Sequence, residues 1–600
     1  MAPLRPCGLY LCCMASLTVP DLAWEVVPLL PETADSPLDL VESYARMRGA
    51  STPEQIDQFL SPRPGLINQL LGLPGLRVAV ERVANAIAAG ETITIFGDYD
   101  ADGITSSVIV RDVLLAAGVT PRSLWCYIPD RFTEDYGLSM KAAAACLERQ
   151  HPSLIIAVDC GSNSFESIEW LKERGVDVIV IDHHSVVAPP RDRHPALAHL
   201  NPKAEYGTNP NVSLEATTLS AAGLCFFFAE MLADTLKITS WEDDRAIVLA
   251  GLGTLIDVMP LVGTNRGLVQ HALVHGNDPR TLKLMPGLDA LAVCARLTRF
   301  TAYSFGFTIG PCLNASGRME HARFGVQLLS ARTLEKARPI AEHLMATNHE
   351  RKQLQEGILE EAIADASQLL ESNPDIRVLF LARETWHPGI VGIVAGRIRE
   401  MFHRPAIVAG RLDDGFWKGS ARSVPGFDIG ALVVQAVGAG TLTGGGGHAA
   451  AAGVKFTNEQ HPSIQSWIDT HTQGLQIESV IRYPVLAEAD ALPTDEVAEV
   501  MEVLSPFGNG NPRPHFSLKN AKLVWGPKDM MRRDGTVWGV KAGFQSRAGL
   551  MYLTWNNLDK ASELWKEGAT YRFVLDFNRN VTPQGVYDEW RVLACAAEEE

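Results

Sequence analysis

From about residue 78 the chain alternates amphipathic stretches with short apolar runs. The pattern predicts a helix over Val78–Ala89, a strand at 92–96, a helix near 104–117 and a strand near 123–128. A helix near 138–149, a strand at 153–158, a helix near 164–174 and a strand at 176–181 follow. Helix and strand in turn are the signature of a parallel, doubly wound sheet. The runs Leu154-Ile155-Ile156-Ala157-Val158 and Val176-Asp177-Val178-Ile179-Val180-Ile181 suit strands covered on both faces. Further helices are expected near 216–234, 241–255 and 264–275.

Residues 333–371 form one long helical pattern rich in Ala, Glu, Leu and Gln, polar enough to bridge two domains. A second α/β unit begins at a strand over Arg377–Leu381 and ends near the glycine-rich stretch Gly444–Gly453 and a short tail. From 484 onward strands dominate: 516–518, 521–524, 537–540, 550–554, 571–575 and 590–593, the pattern of a small OB-type β-barrel. The expected architecture is α/β: a parallel-sheet domain at 76–332 behind an N-terminal extension (1–75), a connecting helix (333–372), a smaller α/β domain (373–478) and an OB-like domain (479–600).

Composition adds limits. At 600 residues the chain holds about three or four domains. Hydrophobic residues at 46% and charged residues at 20% make it globular. A net charge of −17 means any polyanion must be met by local Arg and Lys or by bound cations. The ten cysteines form no CxxC pair and suit a reducing cytoplasm. The first 13 residues make no convincing signal peptide, Met14 is an alternative start, and no apolar run is long enough for a membrane span.

The chemistry concentrates at strand ends. Asp98-Tyr-Asp-Ala-Asp-Gly103 follows the first strand and sets three carboxylates at alternate positions, which repel one another unless a cation sits among them. An EF-hand loop starts the same way, but its twelfth position would be Ile109, and a strand precedes it. Asp159, in Val-Asp-Cys-Gly, and Asp182-His183-His184 follow two further strands, and ligands of open α/β sheets bind at such ends. Asp257 at a helix end could close the cluster. Taken singly, Asp159 is as readily a helix cap, and the histidine pair more readily an ordinary packed group. Together they favour Mn²⁺ or Mg²⁺, and so many anionic ligands favour two ions.

The residues resemble the DHH phosphoesterase superfamily and, within it, the RecJ single-strand DNA exonucleases. The similarity rests on Gly97–Gly103, Ile128-Pro-Asp-Arg-Phe132 with Tyr136-Gly-Leu138, Val158–Gly161, Asp182–His184 with Asn201-Pro-Lys203, and Leu252-Gly-Thr254 with Asp257. It continues through Asn314-Ala-Ser-Gly-Arg318, Trp386–Ile390, Gly419–Ser423, Gly445–His448 with Ala452-Gly453, and Pro506–Pro512, in the family's order over roughly 75–525. The resemblance implies Mn²⁺- or Mg²⁺-dependent 5′→3′ hydrolysis of single-stranded DNA to mononucleotides in repair and recombination. It implies Asp100, Asp102, Asp159, His183 and Asp257 as ligands of two ions, with Asp98 and Asp182 left between ligation and loop support. Asp98 and Asp159 also count as catalytic, with His184 facing the scissile phosphate. Arg131, Ser420 and Arg422 would take the 5′ phosphate, and Arg318, His387 and His448 other phosphates. Single-strand binding protein and a helicase are the implied partners of a cytoplasmic monomer. Its long helix would hold a cleft too narrow for duplex.

Two positions depart from the pattern: Phe96 stands where many superfamily members carry His, and Ile256 where Ala usually precedes the fourth-motif Asp. Competing readings are an oligoribonuclease or 3′-phosphoadenosine 5′-phosphate phosphatase of the same superfamily, and a catalytically inactive DNA-binding scaffold, whose relatives lose the carboxylates retained here. An oxidoreductase fits poorly, since no GxGxxG follows the first strand. Gly444–Gly447 reads either as a linker or as an anion site before an Ala-rich helix start. Trp386 could be core, and Trp417 with Lys418 either a stacking platform or a plain surface strand.

Overall fold

The computed structural model describes residues 23–28, 37–62, 73–131, 133–186, 193–412, 415–474, 480–531, 537–556, 565–566, 568–582 and 585–598. Met14, Cys7, Cys12, Cys13 and Phe132 lie outside them. The chain divides into two compact units, 45–349 with 504–513, and 1–44 with 350–503 and 514–600.

In the first unit, three apolar runs too uniform for a half-exposed strand form the middle of a five-stranded parallel sheet, in the order Leu124–Tyr127, Ile93–Gly97, Leu154–Val158, Asp177–Ile181, Ala198–Leu200. Strands Ile93–Gly97 and Leu154–Val158 are buried along their whole length. Chain order reverses between these two neighbours, so their carboxyl ends form the topological switch point where α/β sheets bind ligands. Helices cover both faces. Ala101–Ala116 and Ala221–Leu236 pack into one large core, and Phe96, Leu138 and Ile155 into another on the opposite face.

The predicted start of the second helix near 104 is corrected to Ala101: the Asp100 side chain accepts the amides of Asp102 and Gly103, so the helix begins inside the acidic loop. Gly103 is required there, because a Cβ would stand 2.5 Å from the Asp98 carbonyl oxygen.

The long helix spans Leu334–Ser372. After it, the second unit carries a five-stranded mixed sheet in the order Gly444–His448, Ala451–Phe456, Trp417–Arg422, Ala406–Arg411, Leu379–Arg383. The helix start expected after His448 is instead the strand Ala451–Phe456. Ala452, Val454 and Phe456 point inward at period two, and the strand pairs with Trp417–Arg422. Trp417 is neither stacking platform nor surface residue: it is 3% exposed, stacked on Phe456, and donates to Asn458 at 2.7 Å. Trp386 is core, its indole N–H on Glu361.

The C-terminal strands His515–Met531, Val537–Ser546, Gly549–Asn556, Gly585–Ala597 and Thr570–Thr582 form a five-stranded barrel, closed by the pairing of the first with the last. The two strands expected at 516–518 and 521–524 are one, kinked by an irregularity between Leu518 and Ala521 where Asn520 takes a positive φ, the bend a strand needs to serve two neighbours. Strand Val480–Ala489, parallel to its start, carries Ala23–Pro28 on its far edge. Among the described residues no helix is long and apolar enough to cross a membrane.

Candidate metal centre

Three loops at the switch-point end of the parallel sheet and one helix terminus bring seven predicted residues together. His183 Nε2 lies 3.3 Å from Asp159 Oδ1, 3.5 Å from Asp257 Oδ2 and 3.8 Å from Asp102 Oδ2. Side-chain atoms of Asp159, His183 and His184, of Asp102, His183 and Asp257, and of Asp98, Asp100 and Asp159 form three triads, each within 4.8 Å.

Asp159 is not a cap. Its φ of +59° turns the chain sharply at the strand end, and its Oδ1 is buried without a hydrogen-bond partner among the described residues. Asp98 Oδ1 and His183 Nδ1 are in the same condition. Buried acceptors are costly to leave unsatisfied, and a divalent cation held by oxygen and imidazole donors would satisfy those of Asp98 and Asp159, so the residues fit the ions expected. Asp182 differs. Its Oδ1 accepts the amides of His183 and His184 at 2.7 and 3.1 Å and faces His184 Nδ1 at 2.8 Å, and its Oδ2 accepts the Ser162 amide. It shapes the loop. Asp98, which the sequence left between two roles, stands with the open-oxygen group.

Asp102 is 1% exposed and accepts the amides of Ala221 and Ala222 at 2.8 and 3.0 Å, at the start of the helix Ala221–Leu236. Helix Asp243–Ile256 reaches the site because Gly253 lets it close in: a Cβ there would stand 2.7 Å from Asp102 Oδ1. Asp257 follows directly as its C-cap.

The electrostatics express the crowding. Burial, then the charge of Asp100, raises Asp98 and Asp159 well above the usual carboxylate range and Asp102 to about 7. Burial, then Asp102 and Asp100, raises Asp257 to about 9. Burial opposes the charge of Asp182, but His184, His183 and the Ser162 amide outweigh it and hold the carboxyl low. Burial also works against an imidazolium at His184, yet the Asp182 contact raises it to about 9, while burial and His184 push His183 down to about 3. The site thus holds one neutral imidazole aimed at carboxylates and one cationic imidazole beside them.

Tyr136, Asn201, Lys203 and Asn314 have no role in the sequence reading, although all four fall within matching segments. Tyr136 Oη meets His184 Nε2 at 3.3 Å, Asn201 donates to the His184 carbonyl at 2.8 Å, and Asn314 accepts the Ala101 amide at 2.7 Å. The Lys203 ammonium is lowered by burial but supported by Asp182 and Asp257. Amides and hydroxyls at this remove leave no periodic signal in a single sequence.

Arg131 lies over the Tyr99 ring, 4.9 Å from its centroid, and both Arg131 and Arg318 act on Tyr99 electrostatically. The other predicted phosphate contacts belong to the second unit. Arg422 donates to Ser420 Oγ at 2.6 Å, and a Cβ at Gly392, in the first turn of the helix Val391–Phe402, would lie 3.1 Å from that hydroxyl. A hydroxyl, a guanidinium and a helix N-terminus together suit an anion. His387 Nδ1 accepts the Gly389 amide, and exposed His448 accepts that of Ala450.

Residues 92–251 match the DHH family, N-terminal domain, and residues 375–471 match the DHHA1 domain. The chain is 31% identical over 520 residues to the single-stranded-DNA-specific exonuclease RecJ of Escherichia coli (strain K12), covering 82% of this chain and 86% of that one. Its fold is similar to that of RecJ from Thermus thermophilus in complex with Mn²⁺, at a TM-score of 0.76 and 24% identity over 96% of this chain and 80% of the other. A manganese-bound exonuclease RecJ aligns at a TM-score of 0.57 and 30% identity, covering 68% of this chain and 97% of that one. The acidic loop, the Asp-His-His turn and the second domain thus occur in one chain and in one order, and the chain belongs to the RecJ family of exonucleases.

Proposed function

We propose that this chain is a metal-dependent exodeoxyribonuclease that hydrolyses single-stranded DNA in the 5′→3′ direction to mononucleotides, in DNA repair and recombination. The observation that carries the reading is His183 Nε2 set 3.3, 3.5 and 3.8 Å from carboxylates of three separate segments, beside the orphaned Asp159 Oδ1. Membership of the family supports it, as does the manganese bound by a 30%-identical relative.

In this reading Asp100, Asp102, Asp159, His183 and Asp257 hold two Mn²⁺ or Mg²⁺ ions, Asp98 joins them through its open oxygen, and Asp182 supports the loop. Bound there, the ions lower the pKa of the attacking water and neutralise charge developing on the phosphoryl oxygens. His184, held at Nδ1 by Asp182, directs its imidazole toward those oxygens. Arg131 and Arg318 bind phosphates beside the acidic loop, and a 5′ phosphate is held by Ser420 and Arg422, with His387 and His448 on the following linkages. The enzyme acts as a cytoplasmic monomer alongside single-strand binding protein and a helicase.

Digestion of 5′- and 3′-labelled single strands tests this directly. The expected result is early release of the 5′ label with Mn²⁺ or Mg²⁺, none with EDTA, and none from the Asp159→Ala variant. Early release of the 3′ label would overturn the polarity, and Mn²⁺-dependent activity in Asp159→Ala would overturn the metal assignment.

A further inference from the structure

Asp257 reaches the site at the end of a helix closed by its own backbone hydrogen bonds, from Asp257 to Gly253, Val258 to Leu255 and Met259 to Thr254. Val258, the next residue, has φ +59°, a conformation that β-branched residues avoid. Its side chain is 64% exposed, so packing does not fix the turn. A second bracket on the turn, the one that reaches the Val258 carbonyl from a side chain, comes from some 250 residues further along. Asn509 Nδ2 donates to the Val258 carbonyl at 2.9 Å, and the Asn509 carbonyl accepts the Leu261 amide at 2.7 Å.

The Asn509 loop is built for that approach. Gly508 and Asn511 exchange amide-to-carbonyl hydrogen bonds at 2.9 and 3.2 Å. Buried Asn511 donates to the carbonyls of Leu504 and Pro506. Arg266, fully buried, donates to the carbonyls of Ser505, Pro506 and Phe59. Both glycines serve close approach: a Cβ at Gly508 would stand 2.8 Å from the Leu261 side chain and force it to shift, and Gly510 has φ +72° with Pro260 3.1 Å from its Cβ position. Segment 504–513 accordingly belongs to the same compact unit as the carboxylate cluster, although the chain on either side of it does not.

We propose that Asn509 is a positioning residue for metal binding: by pinning the left-handed Val258 it fixes where Asp257 directs its carboxylate. The inference rests on the reading of Asp257 as a ligand. Mn²⁺ titration of the full-length protein, followed by the electron paramagnetic resonance of free Mn²⁺, tests it without recourse to activity. Asn509→Ala and Asn509→Asp, which both lose the donor, are expected to weaken Mn²⁺ binding about tenfold, the lower end for groups that orient a ligand, with the metal-free unfolding temperature little changed. Asp257→Asn is expected to weaken it further, and adding Asn509→Ala to Asp257→Asn to change nothing more. Unaltered Mn²⁺ binding in both Asn509 variants, or additive losses in the double variant, would overturn the proposal while leaving the metal reading intact. Unaltered binding in Asp257→Asn would overturn both.

Discussion

Asp159 is the residue at which folding and ligand binding conflict most. Its carboxylate is buried beside four others, with one oxygen lacking a hydrogen bond and its backbone in the left-handed region. A group that only stabilised the fold would not be kept there, since burial among like charges and a buried oxygen without a hydrogen bond both cost stability. Asp159→Asn should therefore hold or raise the unfolding temperature of the metal-free protein, while abolishing the rise that Mn²⁺ produces and cutting nuclease activity more than about 100-fold, beyond the usual cost of losing a group that merely supports a ligand. Scanning fluorimetry with and without Mn²⁺ reads both effects. A lower metal-free unfolding temperature with the Mn²⁺ shift retained would make Asp159 structural. Residues of this kind were legible in the sequence, because a carboxylate directly after an unbroken apolar run has no solvated face to occupy. Val258 and Asn509 were not. Their relation exists only once the chain has folded back on itself, and no local propensity encodes it.

Among the elements, helix Asp243–Ile256 shows how backbone proximity serves the centre. Gly253→Ala would drive a methyl group to 2.5 Å from Thr105 Oγ1 and 2.7 Å from Asp102 Oδ1. The expected cost is about 1–3 kcal/mol of stability with weaker Mn²⁺ binding. Gly357, inside the helix Leu334–Ser372, faces open space, so Gly357→Ala should gain roughly 0.5–1 kcal/mol and leave Mn²⁺ binding unchanged. Denaturant unfolding with parallel Mn²⁺ titrations separates the two. Strand and helix order was readable at this scale because periodicity is local. Misreadings arose where a polar side chain or a tertiary partner decides: Asp100 starts a helix three residues early, and pairing with Trp417–Arg422 makes a strand of an Ala-rich stretch. Trp417, ambiguous in sequence, is drawn inward by Phe456.

For the whole molecule, the acidic cluster couples pH to stability. Carboxyl groups raised in the folded state bind their protons more tightly than in the unfolded chain. Their contribution is fully present below the ordinary carboxylate range and is lost as pH rises through the folded values. The loss runs from the ordinary carboxylate range up to about pH 7 for Asp102 and about pH 9 for Asp257, and His184, raised to about 9, adds to it from about 6.5 upward, so above pH 7 Asp257 and His184 carry it. His183, lowered to about 3, works the other way, but only below its ordinary value near 6.5. The metal-free protein should therefore unfold at progressively lower temperature from pH 7 to 9, and saturating Mg²⁺ should flatten that slope by taking the place of the protons. Parallel slopes with and without Mg²⁺ would show that the cluster does not bind it.

Segment 504–513, packed beside the end of the helix that bears Asp257, also sets a clock. The acidic loop leaves the ribosome with the first hundred residues, but the turn beside Asp257 has its partner only after some 250 more have been made. At 5–20 residues per second that is a delay of roughly 10–50 s. A nascent chain, or one cut short by a premature stop before Leu504, carries every carboxylate yet lacks the loop that completes their unit. If Asn509 positions Asp257 as proposed, full-strength metal binding arrives only once most of the protein has been made.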